Sequence, residues 1–226
     1  MNPRGVDVTI LLDKSGSMES LKDETFNSVK RFIADRAEDD AEVTVTLIQF
    51  DTSYQVTLSP RPASEAASAA WAYRPMGSTA LHDAVVRAIN ETGERLKHMS
   101  EALRPSKVIF VISTDGQENS SQKHQLSDVQ ALIKQQQDTW KWQFIFLGIG
   151  IDAFHEGVRG LHVNSGGVMS VGNTPVAVAS AYAAASAGTR RYVHGNTADA
   201  AFTTEEYDNA DATGGVKNTR TSPLPK

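Results

Sequence analysis

The chain is expected to fold as an α/β domain, Rossmann-like and doubly wound: a mostly parallel six-stranded sheet with one antiparallel edge strand, and helices on both faces. Three observations predict it. Short β-branched runs alternate along the chain with longer stretches whose apolar residues recur at three- and four-residue steps. The best of the runs are consecutively apolar, as strands covered on both faces are. At 226 residues, the chain is long enough for one large domain of this kind with its own core.

The elements follow in order. Val6, Val8, Ile10 and Leu12 lie in a first buried strand. From about Met18 a helix carries Met18, Leu21, Thr25, Val29, Phe32 and Ile33 on one face, and Glu38-Asp39-Asp40 marks the exposed connection after it. Val43 to Phe50 and Tyr54 to Leu58, separated by Asp51-Thr52-Ser53, form the antiparallel hairpin at the edge, which Pro60 and Pro62 should end. Residues 63–76 are rich in alanine and serine, consistent with a short helix. A stronger helix runs from Ala80 to about Met99 after the break at Gly77-Ser78-Thr79. Lys107 to Ser113 is the next strand, Leu126 to Gln137 a helix, and Trp142 to Leu147 a strand with Gly148 and Gly150 at its end. A short helix near Asp152 to Gly160, a weak strand Val168 to Val171 and a small-residue helix from Val176 to Tyr192 complete the domain, which is placed over residues 1–200. From Thr203 the composition turns to Thr, Asp, Asn, Gly and Pro, so residues 201–226 are expected to be a flexible tail.

Composition narrows the function. Forty per cent of the residues are hydrophobic and 22% charged, ordinary values for a globular protein. A net charge of -5 and a pI near 5.7 lack the basic excess of a general nucleic-acid binder, so no nucleic-acid partner is expected. There is no cysteine, which removes disulfides, thiolate nucleophiles and cysteine-held zinc. Neither Val8 to Leu12 nor Phe144 to Ile151 is long enough for a signal peptide or a membrane span, so a cytoplasmic protein without a membrane partner is expected.

The chemistry collects at strand ends. Ligands of open parallel sheets bind beyond the carboxyl ends of the strands, where the strand order reverses. Two runs end in aspartate: Leu12-Asp13-Lys14-Ser15-Gly16-Ser17 and Ser113-Thr114-Asp115-Gly116. In the common doubly wound order these strands are neighbours at the reversal, so Asp13 and Asp115 should face each other. Two carboxylates that close raise each other's pKa unless a cation lies between them. Ser15 and Ser17, two apart in a glycine-containing loop, and Thr79, just before a helix, add hydroxyls. A set of five oxygen donors without Cys or His suits Mg2+ or Mn2+ more than Zn2+. Three neutral hydroxyls leave such a metal electron-poor, so an Asp or Glu carboxylate of a protein partner could complete its shell. The helix amino end after Thr79 should add partial positive charge on the same side.

Asp13-Lys14-Ser15-Gly16-Ser17, then Thr79 after Gly-Ser, then Thr114-Asp115-Gly116, resembles the metal-ion-dependent adhesion site of von Willebrand factor type A domains. The five-residue core is short, but its conjunction with the two later motifs in this order is specific. The resemblance covers about Val6 to Tyr192. It implies one divalent cation, usually Mg2+ with Mn2+ or Ca2+ as alternatives, and protein–protein binding rather than catalysis. It further implies that Ser15, Ser17 and Thr79 are direct or switching ligands, and that Asp13 and Asp115 act largely through water. The missing cysteines fit the compact intracellular bacterial and phage members.

Each residue also has a plainer role. Asp13 and Asp115 could cap helices or close turns, Ser15 and Ser17 could be turn residues, and Thr79 could cap its helix. Asp83 is expected to stabilise the start of its helix, and Asp51 to be a turn residue. Gln117, Glu118 and Asn119 could form a partner-selecting rim, or simply a solvated loop. Trp140 and Trp142 alternate with Phe144 and Phe146 and are expected to pack in the core or at the edge. Two rival functions remain. A Mg2+/Mn2+-dependent phosphohydrolase is disfavoured because no phosphate-cradling glycine loop, nucleophile elbow or general base is visible. A structural or assembly protein would keep the metal only for stability.

Overall fold

The computed structural model describes residues 1–116 and 118–214. Six strands form one sheet in the order β3-β2-β1-β4-β5-β6. They are β1 (Asn2–Asp13), β2 (Glu42–Phe50), β3 (Tyr54–Pro62), β4 (Pro105–Thr114), β5 (Gln143–Ile149) and β6 (Val168–Val171). Only β2 and β3 pair antiparallel; every other neighbour pair is parallel. The helices are α1 (Lys22–Ala37), α2 (Ala63–Ser68), α3 (Leu81–His98), α4 (Leu126–Trp140), α5 (Pro175–Val193) and α6 (Thr204–Gly214). A 3-10 turn, Gly16–Leu21, leads into α1, and the short helix after β5 is π-type, Phe154–Gly160. The mostly parallel sheet with one antiparallel edge strand agrees with the expectation from the sequence.

Alternation along β1 explains the two layers. Val6, Val8, Ile10 and Leu12 point to one face, where they meet Val29, Phe32 and Ile33 of α1 and Val178, Ala181 and Ala185 of α5. Leu11 points to the other, with Ile48, Phe50, Phe110 and Phe146, under Val85 and Ile89 of α3 and Val129 and Ile133 of α4. Each fully buried aliphatic or phenyl side chain contributes about 1.5–3 kcal/mol, so both faces are strongly specified. Small residues let α5 lie close to α1. There the buried Arg36 guanidinium pairs with Asp39 at 2.9 Å and donates to the Ser186 carbonyl and hydroxyl at 3.2 and 3.1 Å.

Four expectations need correction. Pro60 does not end the hairpin, because β3 runs on to Pro62, its last residue. An edge strand tolerates proline, and the register shifts near Pro60, between the pairs at Val45 and Leu47. The alanine-rich stretch is helical only to Ser68, and the chain to Ala80 is irregular. Trp140 ends α4 and is 63% exposed, whereas Trp142 is buried and stacks on Phe110 with centroids 5.6 Å apart. Residues 201–226 are not wholly a tail: α6 forms over Thr204–Gly214, and Phe202, Tyr207 and Ala210 are buried in the core. The remainder of the expected tail, 215–226, lies outside the described residues.

Candidate metal centre

The strand order places the reversal between β1 and β4, with β1 flanked by β2 on one side and β4 on the other. Leu12 pairs with Ser113, so Asp13 and Thr114 leave the sheet side by side. Asp13 is fully buried. Its carboxylate accepts from the Ser15 amide at 2.7 Å and the Thr114 hydroxyl at 2.6 Å. The Tyr73 hydroxyl donates to its carbonyl at 2.6 Å, fixing the strand end from the other layer.

The hydroxyls form a chain across the gap. Ser15 Oγ and Ser17 Oγ lie 3.1 Å apart, and Ser17 Oγ donates to Asp115 Oδ1 at 2.7 Å. Thr79 is buried, and its hydroxyl has no hydrogen-bond partner among the described residues. It faces Gly116: a Cβ there would stand 2.9 Å from Thr79 Oγ1 and 3.9 Å from Ser17 Oγ. The missing side chain keeps that space free, and two loops project oxygens into it. All five residues singled out from the sequence, Asp13, Ser15, Ser17, Thr79 and Asp115, therefore meet at one place.

Electrostatics make the place receptive to a cation. Burial is the largest cause pushing the Asp13 carboxyl up to about 6, helped by the neighbouring Asp115 and opposed by the Thr114 and Ser15 hydrogen bonds. Burial also raises Asp115, against the Ser17 hydrogen bond. Among the described residues neither carboxylate has a cationic partner. The adjacent ammonium, Lys14, turns away to form a buried ion pair with Asp51. No group of three or more His, Asp or Glu side chains gathers as an alternative cage among the described residues. Two desolvated acids beside three hydroxyls fit one hard divalent cation.

The loops are stitched together by groups that sequence reasoning assigned to other roles or passed over. Asp51 is a turn residue, accepting from the Ser53 amide and hydroxyl at 2.6 and 2.7 Å, but it also holds Lys14, and its carbonyl accepts from the Ala80 amide at 3.1 Å. The Met76 amide donates to the Lys14 carbonyl at 2.7 Å and the Gly16 amide to the Gly77 carbonyl at 3.0 Å, where Gly77 adopts a left-handed φ of 77°. Asp83 accepts backbone amides of the loop beyond Asp115, at 2.9 Å from Gln122 and 2.8 Å from His124. Glu118 and Asn119 do not form an outward rim; both side chains turn back onto the start of α3. Gln117 lies outside the described residues. A lysine beside a strand-end aspartate, with another aspartate ending the next strand, was the one available signal for the Lys14–Asp51 pair.

Comparison with known proteins agrees with this picture. The family model for the von Willebrand factor type A domain matches residues 7–171. Among curated proteins no sequence match is found. A von Willebrand factor type A structure from Catenulispora acidiphila is similar with a TM-score of 0.55 and 18% identity, over 82% of this chain and 42% of that one. The SpRpn10 VWA domain gives 0.54 at 14% identity, over 77% and 92%. Proximal thread matrix protein 1 from the mussel byssus, solved with zinc in its MIDAS motif, gives 0.50 at 15% identity, over 65% and 38%. The chain thus spans about two fifths of the Catenulispora and mussel proteins, and at these identities the likeness carries the fold alone. Because the family model spans most of the sequence and the sheet has the matching architecture, the chain belongs to the von Willebrand factor type A domain family.

Proposed function

We propose that this chain is a metal-dependent protein-binding module, whose cation captures an Asp or Glu carboxylate of a protein partner. Domains of this family commonly mediate metal-dependent protein interactions. The observation that carries the reading is the buried Asp13 and half-buried Asp115, without a cationic partner among the described residues, facing three hydroxyls across a space kept open by Gly116. Ser15, Ser17 and Thr79 would hold the cation directly, and Asp13 and Asp115 would flank it. Bound there, the metal supplies a Lewis-acidic position for an anionic oxygen. The donor set favours Mg2+ or Mn2+. Zinc in the MIDAS motif of the mussel protein supports a divalent ion at a site of this type.

The reading contains no catalytic step. Among the described residues, the acids facing the three hydroxyls are the two carboxylates that the cation would itself neutralise, which argues against general-base chemistry there. The test is affinity capture on the immobilised chain from its native host, with Mg2+ and with chelator. Partners should be retained with Mg2+, released by chelator, and absent from a folded Asp13→Ala variant. Capture that survives in that variant would make the metal purely structural. Phosphate-ester turnover that disappears in it would favour a hydrolase.

A further inference from the structure

The loop after β4 closes on α3 through contacts that the binding reading does not use. The Thr79 amide donates to Asn119 Oδ1 at 3.0 Å, and the Asn119 and Ser120 amides donate back to the Thr79 carbonyl at 3.1 and 3.2 Å. The Glu118 carboxylate accepts from the His82 amide at 2.9 Å, the Ser120 and Ser121 amides at 2.8 and 2.6 Å, and the Ser121 hydroxyl at 2.6 Å. Ser121 Oγ in turn accepts from the Asp83 amide at 3.1 Å. The first amides of a helix have no partner inside it, and α3 carries no side-chain cap on Ala80. Here a different loop supplies the acceptors.

Two consequences follow. Thr79, the hydroxyl donor of one loop, is fixed by its backbone to the segment that begins at Asp115, the acid of another. The His82 and Asp83 amides at the α3 amino end are also taken, by Glu118 and Ser121, so neither is left for an incoming carboxylate.

We propose that Asn119 and Glu118 are positioning residues for the cation, acting through Thr79 to set how tightly the metal is held. The inference rests on the metal-binding reading above. Partners behind metal ligands are typically worth about 10–100-fold in affinity. The test is a double-mutant cycle on the full chain, with Mn2+ as the probe, read by calorimetry and by the electron paramagnetic resonance of the bound ion. Asn119→Ala should weaken Mn2+ binding by about 10–100-fold. In a Thr79→Ala background the same change should cost less than about threefold, because the hydroxyl it positions has gone. Unchanged affinity in Asn119→Ala, or an equal loss in both backgrounds, overturns the proposal. If Asn119→Ala does not fold, Glu118→Gln takes its place in the cycle; failure of both to fold also overturns it, assigning the loop to the fold alone. A parent chain that takes up no Mn2+ refutes the metal reading itself. A parent that binds Mn2+, with variants that bind equally well, refutes only this inference.

Discussion

At the scale of single residues, burial puts Asp13 under electrostatic strain. Its carboxyl titrates near 6 in the folded chain against an ordinary value of 3.8. In metal-free protein the folded state therefore holds a proton, between about pH 4 and 6, that the unfolded chain has released. The contribution of Asp13 to stability is full below that window and is lost as pH rises through about 6, a change of about 3 kcal/mol. Denaturant unfolding in chelator should show about 1 kcal/mol of this loss between pH 5 and pH 7 in the parent, but not in Asp13→Asn. The same slope in both would contradict it. Gly116 gives a second residue-scale prediction. A methyl group added there meets Thr79 Oγ1 at 2.9 Å, so Gly116→Ala should weaken Mn2+ binding by at least about tenfold, with little change in unfolding midpoint without metal. Equal affinity would mean that Thr79 is not a donor. The five oxygen residues were legible in the sequence because each sits at a strand end or before a helix. Thr114, Tyr73 and the Lys14–Asp51 pair were not: their roles depend on which segments become neighbours, and that is set by strand register.

At the scale of elements, α6 is the instructive case. Its segment is polar, and its helix depends on few groups. Tyr207 is buried, with its hydroxyl 3.0 Å from the Val168 carbonyl of the edge strand β6 and its ring against Phe202 and Phe154. Arg191 of α5 holds both oxygens of Glu206 at 2.8 Å. A sequence signal did exist. Thr203 and Glu206 form a capping box, the Glu206 amide donating to Thr203 Oγ1 at 3.2 Å and the Thr203 amide to Glu206 Oε2 at 2.7 Å. Composition hid it, because only Tyr207 and Ala210 mark the inward face. Tyr207→Ala should cost about 3 kcal/mol in unfolding free energy while leaving Mn2+ affinity unchanged, since β6 lies two strands away from β4. A loss below about 1 kcal/mol would show that α6 only rests on the sheet. The strands and long helices needed no such help: their periodicity already named the buried faces.

At the scale of the whole molecule, the sheet order is what makes a site from distant segments. β1 and β4 become neighbours only because the chain reverses its winding direction between β3 and β4, and the reversal opens a crevice above their carboxyl ends. That placement was legible, because the common doubly wound order makes these two strands, each ending in aspartate, neighbours at the reversal. The closure of the crevice by Glu118, Asn119 and Asp83 was not, since polar loop residues look alike whether they face solvent or a helix end. The family match ends at Val171, so α5 and α6 complete the domain beyond it.

The central claim is that one cation is held jointly by the β1 loop, the Thr79 loop and the β4 end. Its most direct test is a calorimetric titration of the full chain with Mg2+ and Mn2+, beside a folded Ser15→Ala/Ser17→Ala variant. The account predicts one ion bound per chain, and an affinity at least about a hundredfold weaker when both hydroxyls are removed. No binding by the parent, or equal binding by the variant, would contradict it.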